Sequence, residues 1–82
     1  MKDSEINFAI NDIASYIVRR FAKEKNISWD KALEQVIRTT VYAALIDKDT
    51  ELYSEPKDAV YDMFEHEMNK EPDELAKTMI YA

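Results

Sequence analysis

Between Ile6 and Ala22 the apolar residues Ile6, Ala9, Ile10, Ile13, Ala14, Ile17 and Phe21 recur at three- and four-residue spacing, with Tyr16 and Val18 on the flanks. That period predicts one long amphipathic helix over residues 4–25. Asp3 or Ser4 is the expected N-cap, and Arg19, Arg20, Lys23 and Lys25 suit the negative end of the helix dipole. Asn26 can take the left-handed C-cap position that glycine usually fills, with Ile27 as the following hydrophobic contact and Ser28 capping the next helix.

Trp29, Ala32, Leu33, Val36 and Ile37 share one face of a second helix, predicted over 29–38. Carrying that helix past Thr39-Thr40 would rotate Ala43, Leu45 and Ile46 off the stripe, so a break and a short third helix over 41–46 are expected. A single helix over 29–46 is the alternative. Residues 47–53 read as a polar turn. Ser54-Glu55-Pro56 opens a fourth helix over 55–68, with Val60, Met63, Phe64 and Met68 as its buried stripe. Asn69 to Pro72 interrupts, and Leu75 and Met79 share a face of a short terminal helix over 72–81.

Every periodic segment fits 3.6 and none fits 2. The expectation is therefore an all-α fold, a small bundle of four main helices plus the terminal one. Its core lies in residues 4–69 and its C-terminal extension in 70–82, together one domain of 82 residues. The expected core is Ile10, Ile13, Ile17, Phe21, Leu33, Val36, Ile37, Val60 and Phe64, with Trp29 closing one end.

Composition removes many activities. Typical usage would supply about six glycines in such a chain, and there are none. Gly-rich phosphate loops, the dinucleotide fingerprint and the nucleophile elbow all need backbone that only glycine reaches. The absence of cysteine removes disulfides, thiolate chemistry and Cys-bearing zinc sites, and a single histidine removes His-rich metal centres. No apolar run approaches the roughly 20 residues that span a bilayer, and Met-Lys-Asp-Ser-Glu does not open a signal peptide. A cytoplasmic protein with no membrane role is expected.

Net charge is −6 and unevenly placed. Residues 1–41 carry seven bases and six acids, whereas residues 42–82 carry four bases and eleven acids. The acidic half is the side expected to meet a basic partner.

Four patterns carry candidate chemistry, and each has a plainer structural reading. Asp47, Asp49, Glu51, Tyr53, Glu55 and Asp58 fit the spacing of a calcium loop, but Leu52 stands where its glycine must be and Pro56 lies inside it. An acidic turn before a helix start is the better reading. His66 follows Asp58 and Asp62 at successive helical turns without a third strong ligand, and Lys70 stands where a zinc protease motif needs its second histidine. Of the serines that could act with His66, Ser4, Ser28 and Ser54 are better used as caps, and nothing sets a base beside Ser15. The helix pair joined by Asn26-Ile27-Ser28 invites a helix-turn-helix comparison. Asp30 and Glu34 among the cations of the second helix, and the acidic whole, argue against nucleic acid. Enzyme activity, metal and cofactor are not expected.

Two residues break the pattern of the first helix. Phe8 falls among Asp12, Ser15 and Arg19 on the polar side, and Arg20 projects into the apolar stripe near Ile13. Glu67 similarly interrupts the fourth helix. Phe8, Asp12, Arg19, Arg20 and Glu67 are the interface candidates. A first helix of about 22 residues is roughly 33 Å long, and three short helices can hardly cover its wide apolar arc. The uncovered part, toward Phe8 and Arg20, is expected to meet a protein partner or, in its absence, to form a homodimer.

The layout of long helix, Lys-Asn-Ile-Ser turn, second helix, Thr-Val-Tyr-Ala-Ala-Leu, Thr-Glu-Leu-Tyr and Ala-Val-Tyr-Asp-Met-Phe-Glu resembles a group of small bacterial all-helical proteins over residues 6–68. Those proteins are encoded beside ADP-ribosyltransferase-like toxin genes. The pattern in that group has a Leu-His pair where this chain has Leu52-Tyr53. The resemblance implies a non-enzymatic, antitoxin-like or accessory role in binding a partner protein, with no catalytic residues to carry over. A small dimeric regulator that touches DNA, or a helical protein of a mobile element, is the alternative.

Overall fold

The computed structural model describes residues 2–70, and the terminal helix expected over 72–81 lies outside them. The described residues form four α-helices and no strand: α1 (Asp3–Lys25), α2 (Trp29–Val36), α3 (Thr40–Ile46) and α4 (Lys57–Lys70). Two single 3-10 turns, Lys48–Thr50 and Leu52–Ser54, join α3 to α4. The all-α bundle read from the periodicity is the fold.

Helix α1 starts one residue earlier than the capping residues suggest. Lys2 occupies the N-cap without a side-chain bond, and its carbonyl accepts from the N–H groups of Glu5 and Ile6, both at 3.0 Å. Asp3 and Glu5 then favour the first turn through their charge near the helix dipole. At the other end Asn26 adopts φ 55°, ψ 47°, and Ile27 N–H donates to the Ala22 carbonyl at 3.0 Å. This is the Schellman-type ending that Asn26-Ile27 predicts, and asparagine holds it because its short polar side chain tolerates the left-handed region. Ser28 caps α2, accepting from Lys31 N–H at 3.2 Å.

The break after α2 falls where the apolar face would have rotated away. Thr39 ends one helix and starts the next: its hydroxyl donates to the Val36 carbonyl at 2.7 Å and accepts from Tyr42 N–H at 3.1 Å. A polar side chain used twice in this way can be buried without loss. The two-helix reading of residues 29–46 therefore holds.

Residues 47–53 are less polar in place than in sequence. Glu51, at φ 55°, reverses the chain between the 3-10 turns so that Leu52 and Tyr53 pack against the core. Helix α4 runs two residues later than expected: Pro56 precedes it, its carbonyl accepting from Ala59 N–H at 3.0 Å and Val60 N–H at 3.2 Å, and the helix continues through Asn69.

The core is Ile6, Ile10, Ile13, Ile17, Val18 and Phe21 from α1, Ala32 and Val36 from α2, Leu45 from α3, and Val60, Tyr61 and Phe64 from α4. Phe64 meets the Phe21 ring edge-on at 5.0 Å and Tyr61 at 5.6 Å. Leu33, Ile37 and Trp29 are not in it, contrary to expectation. Of the apolar arc on α2, only the edge carrying Ala32 and Val36 is buried. The tight Asn26–Ser28 turn brings the helices close, and the small Ala32 permits that approach. On α4, Tyr61 replaces Met63 in the buried stripe, the two residues lying on opposite sides of the Val60–Phe64 line.

Candidate functional site

Helix α1 has two sides in use. Toward α4 it presents Tyr16, Arg20 and Glu24, which build a polar and aromatic clamp. The Arg20 guanidinium lies over the Tyr61 ring, 4.2 Å from its centroid, while donating to Glu24 at 2.9 Å and to the Tyr16 hydroxyl at 3.0 Å. Tyr61 donates to Glu24 at 3.0 Å, and Tyr16 donates to Asp58. The Arg20 bond and then the Tyr61 bond hold the Glu24 carboxyl below its ordinary range. Burial first, and the bond to Glu24 second, push the Tyr61 hydroxyl up. Hydrogen bonds from Arg20 to Glu24 and Tyr16 raise the guanidinium still further above neutral pH.

The out-of-register position of Arg20 thus has an internal cause, and at that end α4 covers the apolar arc of α1. Glu67 is explained in the same way. Its carboxylate accepts from Thr40 N–H at 2.8 Å and Val41 N–H at 3.0 Å, satisfying two of the unpaired donors that begin α3.

Toward α2, α1 presents smaller residues. Asn11, Ala14, Ser15 and Val18 form one wall of a groove whose other walls are Trp29 and Leu33 of α2 and Tyr42 of α3, enclosing about 240 Å³. Ser15 is therefore half-buried beside apolar neighbours and not on an open polar face. Trp29 is 48% exposed, Leu33 39% and Ile37 49%. Spaced four residues apart, they make one outward stripe along α2 and its C-cap residue Ile37.

Between these two sides lies an uncovered sector of α1 that carries Phe8, Asp12 and Arg19. Phe8 is 73% exposed, one helical turn before the groove residue Asn11. Asp12 pairs with Lys57 at 3.5 Å, both side chains about half exposed. Three of the five interface candidates therefore share one open strip, whereas Arg20 and Glu67 lie in internal networks. The α2 stripe was missed because its residues were assigned to the core. The signal that could have found it is that α2 has too many large apolar residues for eight positions with one neighbouring helix to bury.

The other candidate chemistry is not assembled. Asp58 is engaged by Tyr16 and Arg20, and His66 and Asp62 are exposed on α4. Among the described residues no three His, Asp or Glu side chains converge in a way that could hold a metal ion. Ser4 lies inside α1, and the Ser54 hydroxyl donates to the Glu51 carbonyl at 2.6 Å. Arg38, two residues past α2, pairs with Glu34 of that helix at 3.0 Å, which compensates its charge. No described helix is long and apolar enough to cross a membrane. Comparison with known proteins finds no protein-family model, curated protein or solved structure that matches this chain.

Proposed function

We propose that the protein is a non-enzymatic interaction module that binds a protein partner through the α1–α2 face. The observation that carries this reading is the outward stripe of Trp29, Leu33 and Ile37 beside the groove. Contiguous large apolar side chains are seldom left open to water, and tryptophan is among the residues that most often anchor protein contacts. Phe8 extends the apolar surface along α1. An antitoxin-like or accessory role fits a surface of this kind, because covering a partner requires shape and apolar contact and no reacting groups.

The test is a photo-reactive phenylalanine analogue placed at Leu33 in the native host, with the exposed Glu65 position as control. The expected result is a discrete protein adduct at Leu33 and none at Glu65, lost when Trp29 is replaced by Ala. Equal labelling at both positions would overturn the reading.

A further inference from the structure

We infer that the apolar stripe of α2 is closed by a second copy of this chain, α2 against α2, antiparallel and centred on Leu33. This rests on the reading of the α1–α2 face as a docking surface and names its occupant.

The stripe is self-complementary. Trp29, Leu33 and Ile37 stand at intervals of four, so a two-fold axis through Leu33 sets Leu33 on its own copy and lays each Trp29 against Ile37 of the other chain. The bulky ring at one end then meets the smaller residue at the other. Charge selects the direction. Asp30, Glu34 and Arg38 each follow a stripe residue by one position and therefore share one exposed flank of the stripe. Asp30 has no cationic partner within the described residues, whereas Arg38 has Glu34.

An antiparallel pair places that flank against itself, inverted. Arg38 of one copy then comes level with Asp30 of the other to within two residues' rise, roughly 3 Å along the axis. A parallel pair would instead lay the charged flank against the edge where Ala32 and Val36 are already fully covered by their own core. The antiparallel register thus joins the apolar contacts to an ion pair at each end, which favours one arrangement over its competitors.

The chain contains no cysteine, so single-cysteine variants report the register directly. With copper phenanthroline as oxidant, Leu33→Cys is expected to close a disulfide between copies. Trp29→Cys alone is not, because eight residues' rise separates the two sites by roughly 12 Å, beyond the roughly 7 Å limit between bridged α-carbons. An equal mixture of Trp29→Cys and Ile37→Cys is expected to give the mixed disulfide. In sedimentation, the full chain should be a dimer at high micromolar concentration. Leu33→Glu should weaken association by at least about tenfold with an unchanged helical signal, and Asp30→Arg should weaken it until Arg38→Asp is added.

A strict monomer, or a Trp29→Cys disulfide as fast as that of Leu33→Cys, overturns the inference. Photo-cross-linking from position 33 in mixed light and heavy nitrogen chains separates the alternatives. An adduct only to residues 71–82 of the same chain, or only to a different protein, removes the second copy but leaves the docking surface standing. No adduct at all removes both.

Discussion

The Glu67 carboxylate on α4 accepts from the Thr40 N–H at 2.8 Å, so the first turn of α3 is capped by a side chain 27 positions further along the chain. Thr39 supplies the local cap to Tyr42 N–H, and Glu67 takes the donors of Thr40 and Val41 that it cannot reach. The start of α3 and the packing of α4 therefore depend on each other. Glu67→Ala should destabilise the fold by about 1–2 kcal/mol, the usual range for a lost helix cap. Glu67→Gln, which keeps an acceptor, should lose less. Urea midpoints of the two variants against the parent decide this.

The clamp between α1 and α4 makes stability depend on pH at both ends. Glu24, held low by Arg20 and Tyr61, contributes stability that is present above the ordinary carboxylate value of about 4.3 and is lost as pH falls through its lower folded-state value. Tyr61 works in the opposite sense. Its folded hydroxyl keeps its proton when unfolded tyrosine ionises, so its contribution is full below about pH 10 and is lost as pH rises toward its higher folded-state value. Denaturant midpoints measured from acid to alkaline solution should fall at both ends. Glu24→Gln should flatten the acid limb, and Tyr61→Phe the alkaline limb.

Phe64 is 1% exposed and packs against the Phe21 ring of α1 and the Tyr61 ring of its own helix. Phe64→Ala should cost about 3–5 kcal/mol, a large share of what a domain of this size holds. A variant that melts with the parent would mean that α4 contributes little to the core.

Phe8 gives the contrasting case. At 73% exposure its replacement by glutamate should change stability by no more than about 0.5 kcal/mol, while association through the α1–α2 face should weaken. Circular dichroism and sedimentation on the same sample separate the two effects.

How far the sequence reveals this arrangement can be argued from α2. Its limits were legible, since Ser28 and Thr39 are capping residues at the places where the apolar period begins and slips. Its orientation was not. Periodicity locates the centre of an apolar arc, but a helix with one close neighbour buries an edge of that arc, here Ala32 and Val36, and turns Leu33 and Ile37 outward. The same limitation exchanged Tyr61 for Met63 on α4, where the deciding factors were a hydroxyl within reach of Glu24 and a ring beneath Arg20. Arg20 and Glu67 were legible as exceptions to their patterns. Their distant partners, Asp58 and Tyr61 for Arg20 and Thr40 and Val41 for Glu67, lie on other elements, beyond any local signal.

The groove residues run from Asn11 to Tyr42, whereas the bonds that fasten α4 to α1 join positions 37 and 42 apart. Short loops close at smaller entropic cost than long ones, so the α1–α2 hairpin can assemble before α4 docks. During synthesis the α1 and α2 walls of the groove would then form first, and Tyr42 would join them only when Glu67 arrives to cap α3. Anything that binds those two walls at that stage would stabilise the hairpin against unfolding and so preserve the surface on which α4 docks.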